Sequence, residues 1–337
     1  MTISTERKYR MVALDLDGTL LNSNHELADE MAAYLRRLHD RGIIVAIATG
    51  RSAACTAHII DKLKLPPTPA AKGGFPLVCT NGARGLRVLH KAYSTIEVCS
   101  TCDEKKVAKD ESSTVSNPFL NETLIIDAEL FHTPLDMTLT KKTLGLAYRL
   151  GCVTNYYQNH HIYAVVRNDN HLKFTQRYAK LTGSSELYRY LNPSDQYQEN
   201  ESLYTEENYF GYQEAVNNGP PSKLLIVCDT ERIDEITKIV NKELNGDQAN
   251  GTAANVIRGS PPFFVEILSP NVHKGHGLKQ LCQEIGVPLD EVIAFGDGDN
   301  DIEFLELAGK GIAMKNARDT LKAVADEVTE WTNDEVS

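Results

Sequence analysis

Four short polar segments of this chain carry residue types that together can move a phosphoryl group: Asp15-Leu16-Asp17-Gly18-Thr19, Thr49-Gly50-Arg51, Lys274-Gly275 and Gly296-Asp297-Gly298-Asp299-Asn300-Asp301. In the first, the Asp15 carboxylate can attack phosphorus and form an aspartyl-phosphate. Asp17 lies two residues on. With a strand period near two, its side chain shares the side of Asp15 while Leu16 points away. Asp17 is therefore the candidate general acid for the leaving oxygen and then the base that activates water, a dual role that calls for a carboxyl pKa raised toward neutrality. Gly18 permits a sharp turn. Thr49 offers a hydroxyl, and the peptide units after it, at Gly50 and Arg51, offer amide donors for the equatorial oxygens of the phosphoryl group. Lys274 adds a compact positive charge. One positioned acid or base contributes only ~10²–10⁴-fold, whereas phosphate monoester hydrolysis demands accelerations up to ~10²¹-fold, so several electrostatic groups are required together.

The acidic fourth segment supplies what is missing. Asp15, Asp297 and Asp301 brought together would crowd negative charge, and a like-charged pair about 4 Å apart costs roughly 4 kcal/mol at an effective dielectric near 20. A divalent cation reverses that sign. Oxygen ligands without His or Cys select a hard metal, and a phosphorylated substrate favours Mg²⁺. The expected metal set is Asp15, Asp17 through its carbonyl, and Asp297, with Asp301 and Asn300 in support. Each segment also has a plainer reading. Asp-x-Asp-Gly-Thr alone is a turn sequence, a single lysine is usually a solvated surface group, and Asn-Gly at 81–82 is a common turn pair. Asp297–Asp301 imitates the start of a calcium loop, yet the sixth position is Ile302 rather than Gly and the twelfth is Ala308 rather than Glu.

The elements that must carry these segments are strands. Met11–Leu16 apart from Asp15, Ile43–Ala48 and Val292–Phe295 are apolar, as expected in a parallel sheet covered by helices on both faces. Polar residues that directly follow such strands converge at their carboxyl ends, where open α/β sheets bind ligands. Glu26–His39 reads as the helix returning the chain to the second strand, residues 76–81 as a third strand, and 84–97 with 123–133 as a hairpin. The hairpin is interrupted by a polar insertion near 98–122. From 136 to 268 the pattern changes to an α+β alternation with a long polar loop at 183–221, after which Lys274 precedes a helix over 275–285.

With these segments in this order, the chain resembles the haloacid dehalogenase superfamily, in its Cof-type phosphatase group. Further matching stretches are Thr80-Asn81-Gly82-Ala83, Phe264-Val265-Glu266-Ile267, Asn271-Val272-His273-Lys274-Gly275 and Gly311-Ile312-Ala313-Met314-Lys315-Asn316-Ala317. The resemblance implies an α/β, Rossmann-like doubly wound core formed by 1–135 and 269–337. It also implies an inserted α+β cap domain, 136–268, that closes over the pocket and excludes water. By that likeness Asp15 is the nucleophile, Asp17 the acid/base, Thr49 and Lys274 hold the phosphoryl group, and Asp297 binds the metal. Gly50, Arg51, Asn81 and Asn300 face the substrate. His273 departs from the pattern, where many relatives carry a small residue.

Composition agrees with a globular enzyme: 337 residues, 42% hydrophobic and 24% charged. A net charge of −11 argues against nucleic acid or an anionic membrane as partner. No stretch approaches the ~20 apolar residues of a membrane span, and no signal peptide is visible. Seven cysteines without a regular framework fit free thiols in a cytoplasmic protein, and the Cys99-x-x-Cys102 pair lacks the companions of a zinc site. The expected activity is Mg²⁺-dependent hydrolysis of a small phosphorylated metabolite, foremost a sugar phosphate. A phosphotransferase or mutase would use the same intermediate, and a phosphometabolite sensor would bind without turnover. The sequence carries no signal for an oligomeric state.

Overall fold

The computed structural model describes residues 8–93, 120–191 and 204–335. The chain forms two compact units, one built on the segments up to Phe131 and from Lys274 onward, the other on His132–His273. The first begins β1 (Met11–Leu14), α1 (Asp29–Asp40), β2 (Ile44–Ala48), α2 (Ala53–Leu63), β3 (Phe75–Cys79), β4 (Arg84–His90) and β5 (Leu124–His132). The second contains α3 (Met137–Arg149), β6 (Val153–Gln158), β7 (His161–Ala164), α4 (Asp169–Thr182), β8 (Tyr188–Tyr190), α5 (Gln213–Asn217), β9 (Lys223–Val227), α6 (Ile233–Asn245), β10 (Asn255–Arg258) and β11 (Phe264–Leu268). The first unit resumes with α7 (Lys274–Ile285), β12 (Val292–Gly296), α8 (Ile302–Leu307), β13 (Lys310–Ala313), α9 (Asp319–Lys322) and β14 (Glu327–Val328).

The strands of the first unit form one eight-stranded sheet in the order β14-β13-β12-β1-β2-β3-β4-β5. Pairing is parallel from β14 through β3 and turns antiparallel at β3–β4. The apolar runs follow from burial on both sides. Val12, Leu14, Val45 and Ile47 enter one core with Ala32 and Leu35 of α1 and Ile59, Ile60 and Leu63 of α2. Their neighbours Met11, Ala13, Ile44, Ala46 and Ala48 enter the other, with Leu278, Leu281 and Ile285 of α7 and Phe304 and Leu305 of α8. Alternate side chains thus point to opposite helical layers, which makes the sheet doubly wound. Helix α1 begins at Asp29 rather than Glu26 because the Asn22 side chain accepts the Asn24 and Glu26 amides at 3.0 and 2.9 Å and holds those residues in a turn.

The second unit is a six-stranded sheet, β10-β11-β9-β6-β7-β8, antiparallel except for the β7–β8 pair. Residues of α3 and α6 pack on the face carrying Tyr156, Leu224, Ile226 and Ile267. Tyr178 and Ala179 of α4 pack on the face carrying Val153, Tyr157, Leu225 and Val227. The unit extends a few residues beyond 136–268 because both connecting stretches are tied to it: Ser269 Oγ donates to Pro134 O at 2.6 Å and Leu135 N to Pro221 O at 2.9 Å. The stretch read as a polar loop, 183–221, contains β8 and α5. Both are too short to leave a periodic signature. The interrupted hairpin is present as neighbouring β4 and β5, and most of the 98–122 insertion, with Cys99 and Cys102, lies outside the described residues. Among the described residues no helix is long and apolar enough to cross a membrane.

Candidate active site

All the candidate catalytic residues belong to the first unit. Parallel register sets β1 beside β12, pairing Leu14 with Phe295, and beside β2, pairing Leu14 with Ile47. Asp15 N–H extends the ladder by donating to Phe295 O at 3.0 Å. Asp15, Thr49 and Asp297 therefore leave the sheet at the same edge, each one residue past its strand. Gly18 closes the turn after Asp17 at φ +83, and a β-carbon there would lie 2.2 Å from Asp297 Oδ2. Only glycine lets the first segment pass this close to the fourth. Asn316 Nδ2 donates to Gly18 O at 2.8 Å and fixes the turn.

Lys274, the first residue of α7 rather than a residue preceding it, is the electrostatic centre. Its Nζ donates to Asp15 Oδ1 at 2.5 Å and to Asp301 Oδ1 at 2.7 Å. Lys274 is 2%, Asp15 4% and Asp301 0% exposed. The other oxygen of Asp301 accepts the backbone amides of Asp297 and Gly298 at 3.1 and 3.0 Å, so this carboxylate shapes the fourth loop while orienting the lysine. Burial alone would discharge Lys274, but Asp15 and Asp301 hold its pKa above the ordinary lysine value. Burial drives the Asp15 pKa well above the usual carboxylate range; Lys274 opposes that rise and the neighbouring Asp301 and Asp297 add to it. The Asp297 carboxyl, desolvated and beside Asp301, is pushed up to about 6.

Oxygen atoms of Asp15, Asp297 and Asp301 all lie within 4.8 Å of one another. At that spacing each ionised pair repels by roughly 3 kcal/mol at an effective dielectric near 20, and one lysine offsets one charge of three. An all-oxygen set with surplus negative charge, buried at Asp15 and Asp301 and half-buried at Asp297, fits a hard divalent cation. Asp15 and Asp297 are the residues best disposed to hold it, since both Asp301 oxygens already receive protein donors.

On the other side of Asp15, Thr49 N–H donates to Val78 O at 2.9 Å, and Thr49 Oγ1 accepts the Arg51 amide at 3.1 Å. Asn81 sits in the left-handed region at φ 53, a conformation Asn tolerates, with its amide on Thr49 O at 3.0 Å. A β-carbon at Gly50 would approach Asn81 Oδ1 to 2.8 Å. Asn300 Nδ2 reaches Asn81 Oδ1 at 3.4 Å. The Gly50, Arg51, Asn81 and Asn300 group thus lies together beside Thr49.

Asp17 differs from the sequence expectation. Burial pushes its pKa up, but Arg51 grips the carboxylate through both Nε, at 2.8 Å to Oδ2, and Nη2, and His25 Nδ1 stands 2.9 Å from Oδ1. These contacts outweigh burial and hold the carboxyl below the ordinary Asp value. His25, at φ 60, was not legible as a site residue, because its approach depends on the path of the loop between Asp17 and α1. Thr19, whose Oγ1 is 3.4 Å from Asp297 Oδ1, stood within the first segment.

A profile of the haloacid dehalogenase-like hydrolases matches residues 12–109 and 125–336. The chain belongs to this family and is an enzyme of the hydrolase class. Among curated proteins it is 26% identical over 97% of its length to the phosphatase YwpJ of Bacillus subtilis, covering 96% of that protein. It is likewise 26% identical over 97% of its length to the 5-amino-6-(5-phospho-D-ribitylamino)uracil phosphatase YwtE of the same bacterium, covering 94% of it. A haloacid dehalogenase-like hydrolase from Bacteroides thetaiotaomicron shares the fold, with a TM-score of 0.67, 23% identity, and coverage of 97% of this chain and 96% of that one.

Proposed function

We propose that this enzyme is a Mg²⁺-dependent phosphatase that hydrolyses a small phosphorylated metabolite, foremost a sugar phosphate, through an aspartyl-phosphate on Asp15. The observation that carries the reading is the buried Lys274 bridging Asp15 and Asp301 beside Asp297. A divalent ion held by Asp15, Asp297 and the Asp17 carbonyl would neutralise charge on the carboxylates and the phosphoryl oxygens. Asp15 supplies the attacking oxygen. Lys274 fixes its orientation and draws electron density from the phosphoryl group, while the Thr49 hydroxyl and the Gly50 amide bind equatorial oxygens. Asp17 gives a proton to the departing alkoxide and later takes one from water. To do so it must leave Arg51, and an anionic substrate supplies the alternative partner for that guanidinium. The relative YwtE acts, by its name, on a phosphorylated ribityl compound, which supports a sugar-like alcohol as leaving group.

The test is release of inorganic phosphate from an aryl phosphate and a panel of sugar phosphates with and without Mg²⁺, in wild type and Asp15→Asn. The reading expects metal-dependent turnover that Asp15→Asn abolishes. Undiminished turnover in that variant rules out the nucleophile, and ligand binding without any turnover identifies a sensor.

A further inference from the structure

We propose that Cys152 and Cys228, in the second unit, form a redox-active dithiol that small-molecule disulfides convert reversibly to an intramolecular cystine. The two residues are far apart in sequence, but the β6–β9 register pairs Val153 with Val227, which sets Cys152 directly opposite Cys228 at the next antiparallel position. Cys228 N–H donates to Phe263 O at 3.0 Å and Cys152 N–H to Ala147 O at 2.9 Å, so neither amide faces the other cysteine. This is a non-hydrogen-bonded pair, the kind whose opposed Cα atoms stand about 4.5 Å apart. A disulfide spans Cα separations of about 4.4–6.8 Å. Both side chains enter the same apolar cluster, alongside Leu146, Ala147 and Ile233, and therefore share one face of the sheet. Both are free thiols in the structure.

Their surroundings favour exchange chemistry. The adjacent Cys228 thiol, with Arg232 and Arg167 nearby, outweighs burial and holds the Cys152 pKa below the ordinary thiol value, while Cys228 is raised; the Cys152 thiol donates to Leu150 O at 3.7 Å. Arg167 Nη2 donates to Cys152 O at 3.0 Å, and Arg232 Nη2 to Leu150 O at 3.1 Å. Although Cys152 is only 4% and Cys228 2% exposed, each is the last buried residue before an exposed one, Gly151 and Asp229. A β-carbon at Gly151 would meet nothing within 4 Å, so the backbone next to Cys152 borders open space.

The reaction balances without a further redox partner. The Cys152 thiolate attacks one sulfur of a disulfide such as oxidised glutathione and expels one glutathione thiolate. Cys228 then gives up its proton, its sulfur attacks that of Cys152 in the mixed disulfide, and the second glutathione thiolate leaves. Two protein thiols become one cystine as one glutathione disulfide becomes two glutathione thiols.

The experiment equilibrates the full-length protein, native and in denaturant, with defined ratios of oxidised to reduced glutathione. Free thiols are then alkylated and peptides mapped by mass spectrometry. The proposal expects a Cys152–Cys228 linked peptide pair that reductant reverses, with an equilibrium constant at least tenfold larger in the native protein than in denaturant. In Cys228→Ala the glutathione adduct on Cys152 is expected to persist for want of a resolving thiol. Complete alkylation of both cysteines after native oxidation, a stable glutathione adduct on wild-type Cys152, or equal constants in native and denatured protein each overturns it. The wild-type measurements decide the question even if the variant does not fold.

Discussion

The close approach of the first and fourth segments can be tested by a single methyl group. In Gly18→Ala the new β-carbon meets two penalties, a left-handed φ of +83 and a 2.2 Å contact with Asp297 Oδ2. Gly286, in the same unit, has a similar φ of +76 but nothing within 4 Å of its would-be β-carbon. Gly286→Ala therefore isolates the dihedral cost, about 1–2 kcal/mol for an L-residue in that region. Relief of the contact in Gly18→Ala requires Asp297 to retreat by about 1 Å, and a misplacement of that size costs on the order of 10²-fold in rate, or about 2.7 kcal/mol of barrier. The assay is Mg²⁺-dependent hydrolysis of p-nitrophenyl phosphate at varied metal concentration, paired with urea unfolding. The expected result is destabilisation of both variants, at least as large in Gly18→Ala as in Gly286→Ala. Only Gly18→Ala should lose about 10²-fold in kcat/KM, and only it should need more Mg²⁺. Equal activity of the two variants would refute the reasoning, because Gly18 would then matter only for its dihedral.

Lys274→Met should lower turnover by about 10²–10³-fold. It should also destabilise the metal-free protein by about 3–5 kcal/mol, since it leaves buried Asp15 and Asp301 without their cation; chemical unfolding measures the second effect. Mg²⁺ at one hundred times its Kd should stabilise the wild type by about 2.7 kcal/mol, an increment that Asp297→Asn loses in a thermal melt. Stability should fall with acid through buried His171, whose Nε2 lies 3.0 Å from Gly151 O and whose pKa burial lowers to about 4. The folded form stays neutral while the unfolded chain takes up a proton near the ordinary value of 6.5. That stabilisation is therefore complete above about pH 6.5 and declines by up to about 3 kcal/mol toward pH 4. His171→Gln should flatten this slope in unfolding curves recorded across that range.

What was legible in the sequence was whatever depends on period and order. Met11–Leu14 buries both of its faces, so an unbroken apolar run followed by Asp15 announces an inner strand of a doubly wound sheet with its chemistry at the carboxyl end. Asp297 after β12 and Lys274 at the start of α7 follow the same logic. The features that stayed hidden depend on loop path or register. The grip of Arg51 and His25 on Asp17 reverses the pKa expected from burial, and it requires the particular turn at Asn22–Glu26. Cys152 and Cys228 meet only because β6 and β9 pair in one register. In the stretch read as a polar loop, the three residues of β8 gain their pairing from β7, and α5 buries one residue, Ala215.

The central claim is that Asp15 becomes covalently phosphorylated during turnover. The direct measurement is acid quenching of enzyme turning over a phosphate monoester, followed by peptide mapping of the segment containing Asp15 through Thr19. One phosphoryl group on Asp15, labile to hydroxylamine and absent in Asp15→Asn, is the predicted result. Steady hydrolysis with no adduct on that peptide at any quench time, or an adduct on another residue, would contradict the account.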